Sequence, residues 1–323
     1  MSGSLKECKI EGKDAEVDSF VACIAAALKY WGREYEYEYI AGLSGTPFSP
    51  TWYESEDCMA WWTEFGNHNR IKFLGKSLGF HVIESPKMSY EEYKRTGERS
   101  RELKEFWERA KEAVGEGKIV LVGTWPSWAI IRSWDEGTDD IKLASLEYLT
   151  GICKVESLTE AYILTPGPAE YTRADSIKEA LRFGADIADG TFSPPGFKFG
   201  GKLYDAILKR MEHDLFCEPC GEDGWSCALR TMARVNGTNT DAVNFLEFAR
   251  EFLGQQVPAS ELGEAVRGYK SIVEISGEYM NRDLLKENWN DADFRAGFVA
   301  KIQAMKDAHR DAAGVLRRLA NSI

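Results

Sequence analysis

The chain has 323 residues, 44% of them hydrophobic, which is ample for more than one core, so two packed units are expected. A net charge of −12, with no Lys/Arg run standing clear of acids, excludes a nucleic-acid backbone and disfavours an anionic membrane surface. The N-terminal MSGSLKECKIEGKDAEVD has no apolar signal core, no window approaches the roughly 18 apolar residues of a spanning helix, and seven scattered cysteines, an odd number, fit a reducing compartment, so the expected location is the cytoplasm.

In chain order, Asp18 or Ser19 can cap a helix whose apolar residues Phe20, Cys23, Ile24, Ala27, Leu28 and Trp31 recur at the spacing of one buried face, and Gly32 ends it. The aromatic segment YEYEYIAGLSGTPFSPTWYESEDCMAWW carries Gly and Pro breaks and predicts a structured loop running into a short helix. A helix ending at Gly79 and a strand FHVIE follow, then a charged helix over 89–114. Two β-rich pieces, 119–122 and 128–133, are separated by Gly-Thr-Trp-Pro, and EAYILTP is a further strand. After about Thr172 helical periodicity dominates, interrupted by DGTFSPPGFKFGG, CEPCGEDGWSC and VNGTNTD, which places a domain boundary near 170.

A helix opened by a small polar residue and followed by strands, one of them apolar after a Gly-Lys turn, resembles the papain-like fold. The likeness is to its bacterial branch: the bacteriocin-processing (double-glycine leader) cysteine peptidases and the N-terminal domain of butirosin-biosynthesis protein H. In the peptidase motif a catalytic cysteine opens the helix and a glycine closes it thirteen residues later; counting back from Gly32 lands on Ser19. The loop GLSGTPF (42–48) with Ser44, followed by Trp52, resembles a loop of proteins related to the butirosin protein, and IKEALRFGADIADG, GGKLYDAILKRM and FLEFAREFL resemble their helical C-terminal half. The resemblance implies an α+β papain-like domain over 1–170 with an appended helical domain over 171–323.

It also implies where catalytic groups would stand. The family histidine begins a strand typified by HAVVV; the corresponding stretch here is SWAIIRSWD (127–135), so Ser127 holds its position with Trp128 beside it, and the orienting Asp aligns with Thr165. All three positions depart from the pattern. Acyl transfer at Ser19 would need a base even more than a thiol does, and the four histidines, His68, His81, His213 and His309, fall elsewhere in the sequence. A helix cap is therefore the expected role of Ser19. Cys23 is the fallback nucleophile, one turn further along the same face, but a cysteine on an apolar stripe is usually buried and inert.

The expectation is thus a pseudoenzyme that binds a small-molecule or peptide-like ligand in the old cleft, with Ser19, Ser44, Trp52, Trp125, Ser127 and Trp128 as lining residues. The alternatives are a cysteine-dependent acyltransferase, amidase or peptidase working through Cys23, and a structural oligomerisation protein. His213, Cys217, Cys220 and Cys227 could close a tetrahedral zinc shell, against the plainer reading of a reduced surface loop. No cofactor is expected, and the acidic faces of the C-terminal helices are expected to be solvated surface or contacts between copies of the chain.

Overall fold

The structure, a computed structural model, describes residues 10, 18–53, 58–59, 70–86, 101–124, 127–135, 140–144, 152–154, 158, 160–192, 196–213 and 223–323. In chain order its main elements are α1 (Ser19–Tyr30), α2 (Tyr37–Ser44), β1 (Trp52–Tyr53), β2 (Cys58–Met59), α3 (Ile71–Leu78), β3 (Phe80–Glu84), α4 (Arg101–Gly115), β4 (Ile119–Thr124), β5 (Ser127–Trp134), β6 (Asp140–Ala144), β7 (Ile152–Lys154) and β8 (Glu160–Pro166). They continue as α5 (Arg173–Ala188), β9 (Phe197–Lys198), α6 (Gly201–Arg210), α7 (Gly224–Leu253), α8 (Ala259–Gly277), α9 (Arg282–Asn288) and α10 (Ala292–Ser322). The protein is α+β. No described helix is long and apolar enough to cross a membrane.

The chain divides into two compact units, one made of 1–40 with 70–172 and the other of 41–69 with 173–323. The later crossing falls where the sequence texture changes. The earlier one assigns residues 41–69, which the sequence reading left inside a 1–170 domain, to the helical unit. That segment also begins as helix: α2 and a 3₁₀ turn at Thr46–Phe48 stand where a loop was expected.

The sheet unit is built on a six-stranded sheet of order β3-β8-β4-β5-β6-β7 in which every pairing is antiparallel. The short β6 and β7 were not evident from the sequence. Side chains alternate between the faces. Val120, Val122, Ala129, Ile131, Ala161 and Ile163 form one cluster with Phe106, Trp107, Ala110 and Val114 of α4. The opposite face meets α1, where Phe20 packs edge-on against Trp128 with ring centroids 5.1 Å apart. Helix α1 starts at Asp18, whose side chain accepts from the Val21 N–H at 3.0 Å, so the cap is Asp18 and Ser19 is the first helical residue. Beyond its C-terminus the Arg33 guanidinium donates to the Leu78 carbonyl at 3.3 Å, the Gly167 carbonyl at 3.0 Å and the Gly79 carbonyl, joining three chain segments through one cation.

In the helical unit the long helices α7, α8 and α10 pack in sequence, and α5 and α6 lie against α10. VNGTNTD does not interrupt it: residues 235–241 run through the middle of α7. The turn-forming amides are buried and bonded instead, Asn236 Nδ2 donating to the Val273 carbonyl at 2.9 Å and Ser276 Oγ at 3.1 Å, and Asn239 Nδ2 to the Val235 carbonyl at 2.6 Å. Tertiary hydrogen bonds have overridden the local preference for a turn. Around the 3₁₀ turn, Phe48 packs edge-on to Phe245 at 6.0 Å and to Tyr269 at 5.8 Å.

Candidate functional site

Three of the residues that the sequence singled out, Ser19, Ser127 and Trp128, lie at one place in the sheet unit, the N-terminus of α1 against the start of β5. The Ser19 Oγ accepts from the Trp128 backbone N–H at 3.0 Å. Among the described residues β6 pairs with β5 as far as Ile130 and Ala144, and the Trp128 amide lies two residues past that pair. The serine hydroxyl takes the hydrogen bond of this amide. Ser19 and Ser127 are both buried, at 3% and 7% exposure.

Ser127 does not face Ser19, as the alignment would require. Its neighbour two residues on, Ala129, belongs to the cluster under α4, whereas Trp128 packs on Phe20 of α1. Strand alternation therefore carries the Ser127 side chain to the α4 face and puts Trp128 on the face of Ser19. The Ser127 hydroxyl is buried without a hydrogen-bond partner among the described residues.

Trp128 does not stand as an open wall either; it is 7% exposed. Its ring stacks on Tyr162 at 5.6 Å. These residues lie on strands separated by β4, about 10 Å apart, and the position between them opposite Trp128 is Gly123. With no side chain there, the two rings meet above β4. The Tyr162 hydroxyl donates in turn to Glu160 Oε1 at 2.6 Å. Burial, and then the carboxylates of Glu160 and Glu84, push the Tyr162 phenol far up, so it remains a donor throughout the physiological range.

The other expected partners stay apart from this junction. Thr165 pairs with His81 across β8 and β3. Glu160 shares the cross-strand row of Gly123 and Trp128, and Thr165 lies five residues further along β8, about 17 Å away. His81 sits on β3, three strand spacings or about 14 Å from β5. No nucleophile–base pair is formed here by Ser19, Thr165 and His81. Cys23 is buried, 1% exposed.

Ser44 and Trp52 belong to the helical unit, not to the one that holds Ser19 and Trp128. Ser44 is fully buried and donates to the Ala41 carbonyl at 2.7 Å, and Trp52 is 2% exposed in β1, between β2 and β9. Trp125, Cys217, Cys220 and His68 lie outside the described residues. Of the zinc candidates, His213 ends a 3₁₀ turn and is exposed, and Cys227 lies in the first turn of α7. Among the described residues no cluster of three or more His, Cys, Asp or Glu is placed to hold a metal.

Tyr162 and Glu160 were missed from sequence, and Gly123, read as part of the break after 119–122, lies inside β4. The alternation in EAYILTP puts Glu160, Tyr162 and Leu164 on one face, but nothing local says which strand lies beside it. No family model matches the chain, and no curated protein matches it.

The two serines give opposite expected results. Ser19→Ala removes the acceptor of a buried amide and should cost about 1–3 kcal/mol. Ser127→Ala removes an unmet buried hydroxyl and should be neutral or stabilising by up to about 1 kcal/mol. Urea unfolding of the two variants side by side measures this; equal losses at both positions would mean that Ser127 has a bonding role.

Proposed function

We propose that the sheet unit is a papain-like domain in which the helix–strand junction of the resembling peptidases has become packing, and that the protein works by binding a small-molecule or peptide-like ligand without catalysing its turnover. The observation that carries the loss of turnover is the 3.0 Å bond from the Trp128 N–H to Ser19 Oγ, and binding is what the family resemblance leaves to such a domain. It joins the residue that opens the helix to the start of the strand, the two positions where the family resemblance puts nucleophile and base. A tryptophan occupies the face that an imidazole would need. Acyl transfer requires a base within hydrogen-bond reach of the nucleophile, and His81 stands on β3, three strands across from β5 and in the row of Thr165, well beyond that reach. The same reading keeps the protein in the cytoplasm, away from nucleic acid and membrane, and leaves self-association open.

The test is isothermal titration of the full chain with amino acids, short peptides, polyamines and aminoglycosides, run beside an assay for release of thiol or amine from acyl thioesters and peptide amides. Saturable heat with no release is expected, and native protein treated briefly with iodoacetamide should carry no label at Cys23. Turnover lost in Cys23→Ser would overturn the proposal in favour of an acyltransferase. Neither heat nor turnover would overturn it in favour of a structural protein.

A further inference from the structure

The helical unit buries a polar group that its packing does not satisfy. His309, in the middle of α10, is 1% exposed. Its Nε2 lies 2.9 Å from the Ala188 carbonyl at the end of α5. A carbonyl only accepts, so Nε2 carries the proton and Nδ1 is left as a bare acceptor. That Nδ1 is buried and has no hydrogen-bond partner. Gly200 leaves room for this bond: a Cβ there would stand 2.3 Å from the Ala188 oxygen and 3.4 Å from His309 Nε2, and the residue has φ +55°.

Two tyrosines flank the imidazole, Tyr204 of α6 with ring centroids 5.5 Å apart and Tyr269 of α8 at 6.2 Å. The Tyr269 hydroxyl is buried without a partner, and the Tyr204 hydroxyl, beside the Asn239 amide, makes no hydrogen bond of normal length. Three polar atoms from α6, α8 and α10 are thus withdrawn from water around one ring. Unmet buried polar atoms are uncommon in folded proteins, and three around one ring point to a shared partner.

The chemistry of the lining selects that partner. Burial holds His309 below its ordinary range and holds both phenols above theirs, so neither a cation nor an anion finds a compensating charge. Nδ1 requires a donor, and each hydroxyl both gives and takes. We propose that the His309–Tyr204–Tyr269 cluster is an internal binding site for one neutral, hydrogen-bonding molecule of water size, which donates to His309 Nδ1 and is held by the tyrosine hydroxyls. Two to four polar partners are what a buried water has in other proteins.

Two measurements on the full chain test this. Oxygen-17 and deuterium relaxation dispersion should count one fewer long-lived water in Tyr269→Phe than in the native protein, and a crystal structure should show one water within hydrogen-bond distance of His309 Nδ1. The sign of the stability change is the second test. If the hydroxyl is satisfied by the guest, Tyr269→Phe lowers the folded-to-unfolded ratio about five-fold; if it is simply unmet, the same change raises that ratio. Tyr204→Phe repeats the comparison should Tyr269→Phe fold poorly. A raised ratio, an unchanged water count, or density for a larger molecule would overturn the proposal.

Discussion

Lowering the pH below 6.5 should destabilise the helical unit, at a limiting slope of about 1.4 kcal/mol per pH unit. The source is His309. Burial pulls its pKa below the ordinary 6.5, more strongly than the bond to the Ala188 carbonyl raises it. Its ring neighbours, Tyr204 and Tyr269, offer an imidazolium no counter-charge. With a depressed folded-state pKa, the unfolded chain takes up the proton first, so this contribution is complete above 6.5 and declines as the pH falls towards the folded value. Urea unfolding between pH 7.5 and 4.5, followed by exchange of the α8 and α10 amides, should show the decline. His309→Gln should start from lower stability but lose most of the slope. A slope unchanged in that variant would assign the acid sensitivity to carboxylates instead, Asp189 on Arg317 first among them.

Trp128→Ala should cost the sheet unit about 3–5 kcal/mol, the range for emptying the site of a large buried aromatic residue. The loss has two parts. The ring leaves a gap between Phe20 and Tyr162, and Gly123 offers no side chain to relax into it. Hydrogen exchange at the β4 and β8 amides isolates this effect from the helical unit, which matters because a chain of two units need not unfold in one step. Trp128→Phe should lose less than half as much. A loss below about 1 kcal/mol for Trp128→Ala would mean that the ring borders solvent and that the junction is an open cleft after all.

These expectations show what the sequence made legible. The helix from Ser19, the strand FHVIE, the strand EAYILTP and the change of texture near Thr172 follow from local period, which is short-range information. The meeting of α1 with β5 followed only from a family likeness, because two segments more than 100 residues apart share no local pattern. Which side chain faced which was then misread by one residue. Ser127 was assigned the face that Trp128 holds, since a one-residue slip in a strand exchanges the faces. The middle of α7 was hidden for a different reason: Asn236 and Asn239 carry turn chemistry, and only their partners on α8 and within the helix, absent from the local string, make them helical. His309 gave no signal beyond its rarity, because burial comes from four elements spread over more than 100 residues.

The hydroxyl of Ser19 has a consequence for how the protein behaves in a crowded solution. A backbone N–H at the end of a sheet ladder is a docking point for a strand from another molecule, and such exposed edges are where soluble proteins begin to stick together. Ser127, Trp128 and Ala129 of β5 lie beyond the last described pairing with β6, at the start of an apolar run, SWAII, of the kind that recruits further strands. By occupying the Trp128 amide, the serine blunts that edge. The first residue of α1 then guards the chain against its own copies.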